Sequence, residues 1–136
     1  MRLMIAAMIV LIGLGGAGSA RADYKAGSLA YNSGDYKTAL RELEPLAKEG
    51  DAHSQSMLGI MYSEGRGVKK NLTEAFNWYY KAALAGEGGA QLNLGNMFHT
   101  GKGVNQDYRE AAKWYKRAEK NSYDMGIFMC SNSDLI

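Results

Sequence analysis

The chain has 136 residues, is 46% hydrophobic and contains one proline, which is enough for one compact unit and too little for two sizeable domains. Its formal charge of +2 comes from sixteen Lys and Arg against fourteen Asp and Glu. Two of those cations, Arg2 and Arg21, lie in the first 22 residues; without them the balance is fourteen to fourteen, which removes the charge argument for nucleic acid or an anionic membrane as partner.

Residues 1–22 read MRLMIAAMIVLIGLGGAGSARA: a basic Arg2, an apolar run from Leu3 to Leu14, and a Gly-rich stretch ending Ala20-Arg21-Ala22. This is the pattern of a secretory signal peptide. The run falls short of the roughly 20 apolar residues that cross a bilayer. The expectation is cleavage after Ala22, a mature chain beginning at Asp23, a periplasmic or secreted location, and no stable membrane insertion once the leader is gone. No cysteine stands near the junction to accept a lipid, so the product should be soluble. Cys130 is alone, which excludes an internal disulfide framework and a cysteine-based metal site, and leaves it a stray thiol or an intermolecular link.

Residues 23–50 form the first segment after the leader, and the stretch AYNSGDYKTALRELEPLAKEGDA, Ala30 to Ala52, has Asp35 placed to cap a helix. Beyond it the chain repeats itself. Shifting by 36 residues lays Leu58, Gly59, Met61, Gly65, Gly67 and Val68 on Leu94, Gly95, Met97, Gly101, Gly103 and Val104. The same shift lays Glu74, Ala75, Trp78, Tyr79 and Ala82 on Glu110, Ala111, Trp114, Tyr115 and Ala118. Such a register marks a repeat architecture. Within each copy the apolar and small positions recur every three or four residues, so each copy, 51–86 and 87–122, is two helices. The second helix of each opens on Asn71-Leu72-Thr73-Glu74 or Asp107-Tyr108-Arg109-Glu110, spaced as a capping box in which cap and Glu satisfy each other's backbone N–H groups. That role for Asn71 also accounts for the sequon Asn71-Leu72-Thr73, because the other copy has Asp107 there.

Each copy holds a Gly-basic-Gly triplet, Gly65-Arg66-Gly67 and Gly101-Lys102-Gly103. A phosphate-binding loop needs four residues between its first Gly and the Gly-Lys pair, a following Ser or Thr, and a preceding strand. Five residues separate Gly95 from Gly101, the next residue after Lys102 is glycine, and a helix comes before. The triplets are therefore helix-to-helix bends, with Gly65 and Gly101 at left-handed helix ends.

The stretches LGIMYSEGRGVKKNLTEAFNWYYKAALAG and LGNMFHTGKGVNQDYREAAKWYKRA resemble the Sel-one-like repeat, a relative of the tetratricopeptide repeat. The resemblance spans roughly Asp51 to Glu119, and residues 23–50 look like a tetratricopeptide-like helix pair opening the array. It implies an all-α fold, an α/α solenoid or superhelix of helix-turn-helix repeats. After residue 122 the pattern breaks: Ser122 stands where Gly86 predicts glycine, and 123–136 is either a truncated repeat or a divergent cap.

In such an array the repeat-invariant positions build the core, and function falls to the face the repeat leaves variable. On the first helix of each pair that face comprises Ser56, Met57, Ile60 and Ser63, with Leu92, Asn93, Asn96 and His99 as counterparts; the two copies differ at every one of these pairs. They are the candidate protein-binding residues. His53 and His99 do not align by the repeat and have no second ligand nearby, and no HExxH, GxSxG or Ser-x-x-Lys motif is present. The reading is an exported interaction module that binds a protein or peptide, with no cofactor, no metal and no catalytic residue, and with a homodimer as one possible assembly. By resemblance the alternative is a β-lactamase or penicillin binder, as described for cysteine-rich relatives, though their paired cysteines have no counterpart here.

Overall fold

A computed structural model describes residues 24–124; the leader, the junction after Ala22, and the tail beyond Asp124 with Cys130 lie outside the described residues. Among them the fold is all-α. Helix α1 covers 24–33, followed by α2 (Tyr36–Lys48), α3 (Ala52–Glu64), α4 (Leu72–Leu84), α5 (Gly88–Thr100) and α6 (Tyr108–Asp124). From α2 onward each helix packs on its neighbours in the chain, and α3 also touches α5, so the pairs stack in a solenoid.

Side-chain caps set the starts. Asp35, Asp51 and Asn71 accept from the backbone N–H groups of Thr38, Ser54 and Glu74 at 3.1, 2.8 and 3.1 Å, and Asp107 accepts from Arg109 and Glu110 at 2.9 and 3.1 Å. The reciprocal half of the expected capping box is not used. The N–H of Asn71 donates to the Tyr62 carbonyl at 2.9 Å and that of Asp107 to the Phe98 carbonyl at 2.8 Å. These bonds close each hairpin back onto the helix before it, so the cap's own donor is already satisfied when the Glu side chain could reach it.

The first helices of the two repeats end alike. Gly65 and Gly101 take φ of 69° and 70°, and their N–H groups return to the Met61 and Met97 carbonyls. An added Cβ would stand 3.1 Å from Cβ of Lys70 or of Gln106. Gly65→Val and Gly101→Val are therefore each expected to cost more than about 1 kcal/mol, lowering Tm by about 4–8 °C or more, because a β-branched residue is penalised at positive φ. A thermal melt within a degree or two of the unsubstituted chain would contradict the bend.

The core is two linked layers. Ala39, Leu43, Ala47, Leu58 and Met61 fill the space between α2 and α3; Ala75, Tyr79, Ala82, Ala90, Leu94 and Trp114 fill that among α4, α5 and α6. Glycine brings the backbones close: a Cβ on Gly59 would lie 2.5 Å from the ring of Tyr79, and one on Gly95 2.5 Å from that of Tyr115. Trp78 and Trp114 each carry a cation on the ring face, Lys81 at 4.5 Å and Arg117 at 4.7 Å, again 36 residues apart.

Two buried polar side chains tie pair to pair. Gln55 Nε2 donates to the Ala47 carbonyl and Gln91 Nε2 to the Ala83 carbonyl, both at 3.0 Å. Each reaches back to the end of the preceding helix, where carbonyls have no partner within the helix. Asn121 then donates to Gln91 Oε1 at 2.7 Å, tying α6 into the second of these links. With Ser122 in place of a glycine, α6 does not stop where α4 does and runs on through Asp124.

Candidate protein-binding groove

The first helices of the two repeats, α3 and α5, meet only lightly, and between them runs a groove of about 420 Å³. Its walls come from three sources. Ser63 stands on the last turn of α3. Asn93, Asn96, Met97 and Thr100 stand on α5, and Lys70, Leu72 and Lys102 come from the bends and the start of α4, with Tyr79 reaching in from beneath.

Apolar surface makes up most of the groove, and the polar side chains that border it are held by hydrogen bonds. Ser63 Oγ donates to the Ile60 carbonyl at 2.9 Å and lies 3.4 Å from the Tyr79 hydroxyl. Burial pushes the Tyr79 hydroxyl above its ordinary pKa and the Ser63 contact pulls it partly back, so at neutral pH it is a neutral donor. The Tyr115 hydroxyl donates to Asn96 Oδ1 at 2.7 Å, which fixes that carboxamide while leaving its NH₂ without a partner among the described residues. The exposed Thr100 donates its hydroxyl to the Asn96 carbonyl at 2.8 Å.

Of the eight residues expected on the variable face, Ser63, Asn93 and Asn96 line this groove. His99 is exposed one turn further along α5, where its ring lies 5.3 Å from Tyr108 and 6.5 Å from Tyr115. Leu92 is 49% exposed and does not border the groove. Ser56 is half-buried; Met57 packs against the first core layer and Ile60 against the second, so these two share their surface between groove side and interior. Sequence reasoning missed Lys70, Lys102, Thr100 and Leu72. Lys102 was visible in its Gly-Lys-Gly triplet, but the triplet explains the bend without saying where the lysine points.

At the first bend the repeat treats its cation differently. Arg66 bridges Glu64 at 2.8 Å, donates to the Tyr31 hydroxyl at 3.2 Å, and lies over the rings of Tyr31 and Tyr36 at 5.6 and 5.5 Å. The cluster latches α1 and α2 to the bend after α3. A second hollow of about 260 Å³, lined by Leu84, Gly86, Gln91, Arg117 and Asn121, lies at the α4–α6 end.

The Sel1 repeat matches residues 52–87 and 89–123 of the chain. Among solved structures, a Sel1 repeat protein from Oxalobacter formigenes is 34% identical with a TM-score of 0.66, covering 74% of this chain and 43% of its own. The protein c5321, a protective antigen of uropathogenic Escherichia coli with the same repeat fold, is 34% identical with a TM-score of 0.71, covering 77% of this chain and 23% of its own. The chain thus spans less than half the length of either structure. No curated protein sequence matches it. Two tandem matches over more than half the chain, on a stacked helix-pair fold shared with these bacterial proteins, place it: the chain belongs to the Sel1 repeat family, whose helical arrays serve as protein–protein interaction modules.

Proposed function

We propose that this chain is an exported adaptor that captures a protein or peptide in the groove between α3 and α5, without catalysing a reaction. The observation that carries this reading is the groove itself. It lies where two repeats adjoin, and seven of its nine lining residues differ between the copies, while the invariant Tyr79 and Met97 help hold its shape. The export signal in residues 1–22 puts the partner outside the cytoplasm.

The test uses protein recovered from the extracytoplasmic fraction, where its first residue should read Asp23. Asn93→Trp fills the groove from a half-buried surface position and should change stability by no more than about 0.5 kcal/mol. Crosslinking and pull-down from that compartment should lose the partners that the unsubstituted chain captures, since a few central side chains dominate most interfaces. Normal melting with every partner retained would place the binding surface elsewhere. Nitrocefin turnover by the purified protein would replace the adaptor reading with the enzymatic one.

A further inference from the structure

We infer that the partner segment held in this groove is acidic and extended, with carboxylates received by Lys70 and Lys102; the inference rests on the binding reading above. Within a mostly apolar lining the polar groups offer donors: two ammonium groups and the carboxamides of Asn93 and Asn96, of which Asn96 already has its oxygen occupied by Tyr115. No Asp or Glu borders the groove. Among the described residues neither lysine has an ion-pair partner.

The two repeats provide an internal comparison. Arg66 stands at the place that Lys102 takes in the second copy, and it is satisfied from within by Glu64, Tyr31 and Tyr36. Thirty-six residues on, Glu64 is replaced by Thr100, Tyr31 by Gly67 and Tyr36 by Leu72. Each internal partner of the cation is withdrawn in the second copy, where the cation itself borders the groove. A cation in that position, beside carboxamide N–H donors, finds its complement in an anion brought from outside. The two ammonium groups come from different bends, and Leu72 and Met97 supply apolar surface in the same groove. This suits a chain segment alternating acidic with apolar side chains better than a single small anion.

The probe is a short fluorescent peptide alternating Glu with Leu, compared by anisotropy with its Gln-for-Glu counterpart on the purified protein. The Glu peptide should bind and the Gln peptide should bind at least several-fold more weakly. Lys70→Ala and Lys102→Ala should each weaken the Glu peptide about two- to fivefold, the range of a partly exposed ion pair, and the double variant should weaken it further. Raising salt from about 0.05 to about 0.5 M should weaken binding in the same direction. Lys116→Ala removes the same charge from the exposed side of α6 and should leave affinity unchanged, with all variants melting alike. The inference is overturned if neither peptide binds, or if Lys116→Ala weakens the Glu peptide as much as the groove variants do. Equal binding of both peptides, lost in Asn93→Trp, also overturns it while leaving the groove reading intact; retention of partners by Asn93→Trp in the pull-down is what defeats that reading.

Discussion

Leu94→Ala is expected to lower the free energy of unfolding by about 2–5 kcal/mol, a large share of the 5–15 kcal/mol that holds a domain of this size. Leu94 is fully buried, and its layer is built largely from Ala75, Ala82, Ala83 and Ala90. Small residues already bring these backbones together, so they have little room to close on a cavity, and the cost falls in the upper part of the range. Leu58→Ala, its counterpart in the first layer, should behave alike because Leu58 is only 1% exposed. Leu92→Ala, two residues away and half-exposed, should stay within about 0.5 kcal/mol. Urea titrations of the three variants make the comparison, and a Leu94→Ala midpoint matching that of Leu92→Ala would refute the layered core.

Gly59→Val should cost about 3 kcal/mol, the upper end of what overpacking usually does. The sign is clearest with alanine, since Gly→Ala inside a helix ordinarily gains about 1 kcal/mol. At Gly59 the new Cβ meets Cδ1 and Cε1 of Tyr79 at 2.5 Å, and that ring is 4% exposed with core on its other side. Gly59→Ala should therefore destabilise where propensity alone predicts a gain. Gly95 makes the same contact with Tyr115, but that ring is only half-buried and can swing outward at the loss of its bond to Asn96. Substitution at Gly95 should cost less. Equal losses at both glycines in thermal melts would mean that ring burial does not set the difference.

The elements of this fold were legible because the forces that set them are local. Caps at Asp35, Asn71 and Asp107, bends at Gly65 and Gly101, and helical spacing of the core residues each act within a few positions of the chain. The reciprocal capping box failed because Asn71 N–H is claimed by the Tyr62 carbonyl, a contact that exists only once the hairpin has closed. Three of the groove residues could be found from the variable face of α3 and α5. Lys70, Leu72 and Lys102 could not, since they stand at bends and a helix start where side-chain direction follows tertiary closure and no periodicity records it. Met57 and Ile60 carry the opposite lesson: they vary between copies, yet sit at the border of a helix face and lend half their surface to the core.

Gln55 and Gln91 give the array a direction. Each side chain reaches toward the N-terminus, to a carbonyl on the helix completed just before it. A chain that emerges from its N-terminal end therefore always has the acceptor formed before the donor arrives. At these two links each new helix pair docks on an acceptor already in place. Assembly in order of emergence is built into these two amides, and a chain released from its C-terminal end first would present each glutamine to an empty place.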